Sequence, residues 1–292
     1  MKLFVFGLGY SASQVVRQHG AAFTHLWGTV RAPAKPEQDG ATLLRFDGSA
    51  VGAAVDPRLP AALADADALL VSVQPGLEAD PVLAHFASAI AAAPNLRRIV
   101  YLSTIGVYGG HGGAWIDEEA ATMAGNPRQA ARIRVEAEWL ALGARAGVPV
   151  SVLRLAGIYG PGRNALDDLR AGEARRIDKP GQVFNRIHVT DIGHAVMAAL
   201  AHPAPPRLVN VTDDEPAPAP DVVAYAASLM GIAPPGLIPF ATAELSPMAR
   251  SFYGANRRVR NAVLRRDLGV DLAFPTYRAG LDALWASGEG RS

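Results

Sequence analysis

The sequence predicts an α/β protein with a doubly wound parallel sheet, helices on both faces and a smaller C-terminal region. Two patterns carry that expectation. Through the first half of the chain, short apolar runs alternate with helix-forming stretches, as they do where a parallel sheet is covered on both sides. The chain also opens with Lys2-Leu3-Phe4-Val5-Phe6 running into Gly7-Leu8-Gly9-Tyr10-Ser11-Ala12, a strand that turns through Gly-x-Gly-x-x-Ala directly into a helix.

Taken in order, strands are expected at residues 3–6, 26–30, 43–46, 68–73, 98–103 and 150–155. Helices are expected at 81–92, where Val82, Leu83, Phe86 and Ile90 repeat at helical spacing, and at 130–145, with Ile133, Ala137 and Leu140 on one face. After Gly160 the pattern loosens, and Pro203-Ala204-Pro205-Pro206 and Pro216-Ala217-Pro218-Ala219-Pro220 read as rigid connections. The expected division is a domain over 1–156 and a smaller region over 157–292, part of which, about 183–212, returns to the sheet.

Composition narrows the function classes. Of 292 residues, 50% are hydrophobic and 19% charged, which is globular rather than disordered. With a formal net charge of +1, nothing points to a nucleic-acid partner, and the pairs Arg257-Arg258 and Arg265-Arg266 read as solvated surface. The absence of cysteine excludes disulfides, thiolate catalysis and thiolate-bound metal together. His111, His188 and His194 lack carboxylate partners at ligand spacing, so no metal is expected. There is no leader ahead of the first strand and no apolar run long enough for a bilayer, so the expected location is the cytoplasm, away from membranes.

The opening turn carries the first chemistry. Gly7 permits a tight turn out of the strand, Gly9 lets the backbone approach a pyrophosphate, and Ala12 is small enough for the helix to lie against the sheet. The helix N-terminus then presents free N–H groups and a positive dipole end to the phosphates. Gly7, Leu8, Gly9, Tyr10 and Ser11 are the candidate contacts. The second strand ends Gly28-Thr29-Val30-Arg31, with no acid to take a ribose 2′-hydroxyl, and Arg31 favours NADP(H) over NAD(H).

Four further blocks carry a family likeness. Gly7 to Ala12, Tyr101-Leu102-Ser103-Thr104-Ile105-Gly106-Val107-Tyr108-Gly109, Arg154-Leu155-Ala156-Gly157-Ile158-Tyr159-Gly160-Pro161-Gly162-Arg163 and Asn185-Arg186-Ile187-His188-Val189-Thr190-Asp191-Ile192 resemble, in order, the extended short-chain dehydrogenase/reductases of the NAD-dependent epimerase/dehydratase group. The likeness spans nearly the whole chain, and Asn210-Val211-Thr212-Asp213-Asp214-Glu215-Pro216 adds to it. It implies a Rossmann domain holding NAD(H) or NADP(H), with a smaller domain closing over a small-molecule substrate; the reaction is not implied. Asp47 resembles the aspartate that approaches adenine, or else forms the turn before Gly48, and Gln74 falls where a loop runs beneath the ribose.

One departure matters. Redox members of that family use Tyr-x-x-x-Lys to move a proton and hold the ribose. Here the only lysines are Lys2, Lys35 and Lys179, and none lies four residues after a tyrosine. Aligned on Arg134-Val135-Glu136-Ala137-Glu138, Arg134 takes the lysine position and Ala130 the tyrosine position, so a cation remains to bind ribose or phosphate and the proton donor does not. Near the expected chemistry stand Thr104, suited to orienting a carbonyl or hydroxyl or to capping its own strand, and Tyr108, a packing residue or a general acid if its phenol is depressed beside Arg134 or the cofactor.

In the second half, Asp191 reads as a helix N-terminal residue and His188 as a packed histidine rather than a site group. The run Gly109-Gly110-His111-Gly112-Gly113 reads as a flexible lid. The helix at 130–145 offers an apolar face suited to a homodimer. Two functions stay open: an NAD(P)-dependent oxidoreductase or epimerase acting on a small hydroxylated or carbonyl compound, and a dinucleotide-binding sensor or regulatory protein without turnover.

Overall fold

A computed structural model describes residues 1–49 and 54–291. The chain runs β1 (Lys2–Phe6), α1 (Tyr10–His19), β2 (His25–Val30), β3 (Glu37–Gln38), β4 (Ala41–Arg45), α2 (Leu59–Asp65), β5 (Ala68–Val71), α3 (Pro81–Ala91) and β6 (Arg98–Thr104). There follow β7 (Trp115–Ile116), α4 (Pro127–Ala146), β8 (Val150–Leu155), β9 (Gly157–Tyr159), α5 (Ala165–Arg170), β10 (Arg176–Asp178), β11 (Arg186–His188), α6 (Val189–Ala201) and β12 (Leu208–Val211). The remainder is α7 (Ala219–Leu229), β13 (Leu237–Pro239), α8 (Pro247–Tyr253), β14 (Arg258–Val259) and α9 (Tyr277–Ala286).

Eight strands form one sheet in the order β12-β8-β6-β5-β1-β2-β4-β3, parallel except where β3 pairs antiparallel with β4. The order reverses at β1: β2 and β4 lie to one side, β5, β6, β8 and β12 to the other. This is the doubly wound Rossmann arrangement that the alternating pattern predicts, and its crevice lies at the carboxyl ends of the strands beside β1.

Strict alternation in β1 explains how both faces are covered. Leu3 and Val5 enter one apolar layer with Val15 and Val16 of α1 and Ile192 and Val196 of α6. Phe4 and Phe6 enter the opposite layer with Phe46, Phe86 of α3 and Trp139 of α4. Each of these large side chains, fully withdrawn from water, contributes on the order of 2–3 kcal/mol.

Helix starts follow ordinary capping chemistry. The Asp80 carboxylate accepts from the Val82 and Leu83 N–H groups at 2.8 and 3.0 Å ahead of Pro81, and Asn126 accepts from Gln129 N–H at 3.0 Å ahead of Pro127. Gly147, at φ +68°, ends α4 in the left-handed conformation. The expected apolar face of α4 is corrected by the structure. Its buried residues are Ala131, Val135, Glu136, Trp139, Leu142 and Gly143, while Ala137 is exposed. Packing of the indole of Trp139 against Tyr101 turns that face inward, and the periodicity of small alanines could not reveal it.

The second half contributes β12 to the main sheet, beside β8, and lays α6 along α1. Elsewhere it forms two-stranded pairs, β9 with β11, β10 with β13 and β7 with β14. A separate core gathers Leu166, Val222, Ala226, Tyr277, Leu281 and Leu284 from α5, α7 and α9.

Candidate functional site

The two glycines of the opening turn are glycines for different reasons. Gly7 sits at φ +84°, and a Cβ there would come within 2.8 Å of Val73 Cγ2 in the loop after β5, so the fold itself requires it. Gly9 has the extended values φ −91° and ψ −165°, open to any residue, and a Cβ there would meet no atom within 4 Å. The fold leaves that space open beside the start of α1.

The N–H groups in the turn are also sorted. Gly7 N–H donates to Thr29 Oγ1 at 2.8 Å, Leu8 N–H to Thr29 O at 2.9 Å and Gly9 N–H to Gly7 O at 2.8 Å. The first bond of α1 is Ser13 N–H to Gly9 O at 2.8 Å; no side chain caps the helix and its first turn holds no acid. The N–H groups at Tyr10, Ser11 and Ala12 are therefore those offered at the crevice, with the positive end of the helix dipole behind them. Leu8 is corrected to a packing role: its side chain fills the space above Gly28, where a Cβ would come within 2.9 Å of Leu8 Cδ2.

Around this turn, Arg31 is exposed beyond β2 and makes no ion pair or hydrogen bond among the described residues. Asp47 forms the turn rather than an open acceptor. Its carboxylate takes Ser49 Oγ at 2.5 Å, Ser49 N–H at 2.9 Å and Ala54 N–H at 3.2 Å, and the Ser49 hydroxyl bond leads the effects that hold its pKa at about 2. Gln74 is exposed on the loop after β5. Arg134 reaches from α4 to that same loop, donating to Leu77 O at 3.0 Å and pairing with Glu138 at 3.3 Å. Ala130, one turn earlier, is exposed.

At the tip of β6, Thr104 Oγ1 accepts from Gly106 N–H at 3.0 Å and caps the short helix Ile105–Tyr108. Its hydroxyl proton is not used in that bond. Tyr108 is fully buried, donates to Asn210 Oδ1 at 2.8 Å and lies 4.8 Å beneath the Arg154 guanidinium. Burial raises its pKa against the opposing pull of Arg154, which is the packing alternative rather than the general acid. Nor does Arg134 stand beside it, being exposed and engaged elsewhere.

Sequence reasoning missed the polar row behind these residues. Ser103, Arg154 and Asn210 are register partners across β6, β8 and β12. Arg154 pairs with Glu136 of α4 at 2.7 Å, and Ser103 Oγ donates to the same carboxylate at 2.5 Å. The available signal was a polar residue near the carboxyl end of each of the three strands, with Glu136 two positions past Arg134.

Farther along the chain His188 caps α6, its Nδ1 accepting from Thr190 N–H at 3.2 Å while the ring packs on Tyr159 and Phe274. Burial lowers its pKa to about 4. Asp191 is buried at the start of α6 and accepts from Ala273 and Phe274 N–H at 2.7 and 3.0 Å, fastening the C-terminal segment to that helix. The 109–113 run is corrected from a free lid to a fastened loop. His111 and Gly113 N–H donate to Asn256 O at 2.9 and 3.0 Å, and Arg257 and Arg258 donate to Gly109 O and Gly113 O. Arg257 is thus no solvated surface charge, and burial pulls its pKa down to about 10.

No helix among the described residues is long and apolar enough to cross a membrane, and no three His, Asp or Glu side chains among them gather to hold a metal ion. The open helix start at the reversal of strand order defines a dinucleotide-binding α/β protein. A model of the NAD dependent epimerase/dehydratase family matches residues 83–212. The 3-diazoavenalumate denitrifying reductase of a Streptomyces species is 32% identical over 211 residues, covering 68% of each chain. A functionally unknown conserved protein from Silicibacter pomeroyi DSS is 43% identical, with a TM-score of 0.87 over 99% of each chain. A Methylobacillus flagellatus structure ascribed to the NAD-dependent epimerases/dehydratases is 26% identical, with a TM-score of 0.72 over 98% of each. The chain belongs to the NAD dependent epimerase/dehydratase family.

Proposed function

We propose that the protein is an NADP(H)-using oxidoreductase of this family, acting on a small carbonyl or hydroxylated compound held between the sheet's carboxyl edge and the region from residue 157 onward. Gly9 carries the reading. A glycine that the backbone does not need, opening space against an uncapped and acid-free helix start, suits a diphosphate laid on that helix. Arg31, unpaired beyond β2, suits a 2′-phosphate, and Arg134 suits ribose or phosphate oxygens next to the loop after β5. The name of the Streptomyces relative, a reductase, supports the redox class.

Nicotinamide, when bound there, would supply the hydride-transfer chemistry. Thr104 orients the reacting oxygen: its oxygen is occupied by Gly106 N–H, which leaves its proton to donate to substrate. Tyr108 seals the floor of the site. The proton then comes from water or from the substrate itself, since Ala130 has none to give. The exposed Ala137, Ala141 and Ala144 give α4 a small-residue face fit for a two-fold partner.

A second reading, dinucleotide binding without turnover, draws on the same exposed Ala130 and sealed Tyr108. Calorimetric titration of NADPH into the native protein and Gly9→Val tests the first step. The variant is expected to keep its fold by circular dichroism and lose binding; equal affinity in both proteins would reject the site. NADPH oxidation with a panel of ketones, enones and aryl diazonium compounds then separates the two readings.

A further inference from the structure

The turn at 160–163 carries an exposed cation, Arg163, that makes no ion pair or hydrogen bond through its side chain among the described residues. Gly160 and Arg163 exchange backbone bonds at 3.0 Å in each direction, so the Arg163 backbone is fixed. This turn is packed directly on the start of α1. Tyr10 Oη donates to Pro161 O at 3.1 Å, and a Cβ on Gly160 would come within 2.8 Å of that same hydroxyl. The Arg163 guanidinium lies 5.9 Å from the centre of the Tyr10 ring.

Among the described residues that ring is its only partner. The carboxylate attached to this turn, Glu289, is taken by Gly162 N–H at 2.8 Å and Asn164 Nδ2 at 3.0 Å. The other cation facing Tyr10, Arg17, pairs with Asp39 at 3.6 Å. A free guanidinium is therefore held against the first residue of a helix whose N-terminus is itself positive and whose first turn has no acid.

We infer that Arg163 is a ligand of the dinucleotide's diphosphate, so that the smaller region contributes a charged contact to the cofactor site formed by Gly9 to Ala12. The inference rests on the dinucleotide reading above and gives Arg163 and Arg31 separate duties. Arg163 recognises what all the adenine dinucleotides share; Arg31 recognises what only NADP(H) carries.

The test is calorimetric titration of ADP, NADH and NADPH into native protein, Arg163→Gln and Arg163→Lys, at low and high salt. In low salt, Arg163→Gln is expected to weaken all three ligands alike by about ten-fold, with much of the loss restored by lysine and the difference narrowing in high salt. Arg163→Gln with unchanged ADP affinity would overturn the inference, and so would a loss that lysine does not repair and salt does not change, which is the behaviour of a residue that only braces the turn. If Arg163→Gln altered only the KM for a carbonyl substrate, Arg163 would be a substrate ligand and the inference would equally fall. Native protein that binds none of the three ligands would instead refute the dinucleotide reading.

Discussion

Arg154 and Glu136 form an ion pair at 2.7 Å, each side chain only 5% exposed, that joins β8 to α4 beside Ser103 of β6. Two opposite charges in so dry a place compensate each other, and the loss of one strands the other. Glu136→Ala is therefore expected to cost about 3–5 kcal/mol, whereas the double replacement Glu136→Met with Arg154→Met costs less than the single change. Urea denaturation of the three proteins checks this. A double variant no more stable than Glu136→Ala would mean that the pair, not the stranded charge, sets the energy.

His188 and Asp213 give opposite pH dependences. Burial lowers the folded pKa of His188 to about 4, below its unfolded value, so its contribution is present above about pH 6.5 and lost as pH falls toward 4. Burial raises Asp213 to about 8, above its unfolded value, so its contribution is present below about pH 4 and lost as pH rises through 8. Relative to native protein, His188→Asn, which keeps a capping side chain, should gain stability as the solution is acidified from 6.5 to 4. Asp213→Asn should gain stability as pH rises from 4 to 8. Thermal melts across both windows measure the differences, and parallel curves for variant and native would contradict either assignment.

Arg31 predicts cofactor choice. A charge-assisted contact from an exposed arginine to a 2′-phosphate should make NADPH bind about ten-fold more tightly than NADH at low ionic strength, less so in salt. Arg31→Ala should remove the preference while leaving NADH affinity as it was. Undiminished selectivity in that variant would move the discrimination elsewhere on the rim.

Restoring the missing pair tests whether the site is still shaped for proton transfer. Ala130 and Arg134 lie one turn apart on the exposed face of α4. Ala130→Tyr with Arg134→Lys is expected to raise NADPH-dependent reductase turnover, a positioned general acid being worth about 10²- to 10⁴-fold. Steady-state rates with a fixed ketone panel give the readout. A native rate already as high as that of the double variant would show that another group supplies the proton.

Tyr108→Phe makes the complementary prediction. Because the phenol donates to Asn210 and its pKa is raised by burial, the change should cost on the order of 1 kcal/mol of stability and leave the pH profile of turnover unchanged. A titration near neutrality that vanished in this variant would restore Tyr108 as an acid.

What the chain determined by itself was local and periodic. The unbroken apolar runs Leu3 to Phe6 and Ala68-Leu69-Leu70-Val71 demand a sheet covered on both faces. Gly7, Gly9 and Ala12 place a turn and a helix at its edge, and the missing Tyr-x-x-x-Lys is a fact of spacing alone. Tertiary structure decided everything that depends on which distant atoms come together. Gly7 is forced by Val73 and Gly9 by nothing in the fold. Trp139 rotates α4 so that Glu136 meets Arg154. Asn210 binds the Tyr108 phenol from a strand 102 residues away, and Arg257 is drawn from solvent onto Gly109. Burial and electrostatics depend on contacts across the fold, whereas strand and helix patterns depend on neighbours a few residues away, and only the latter are written in order along the chain.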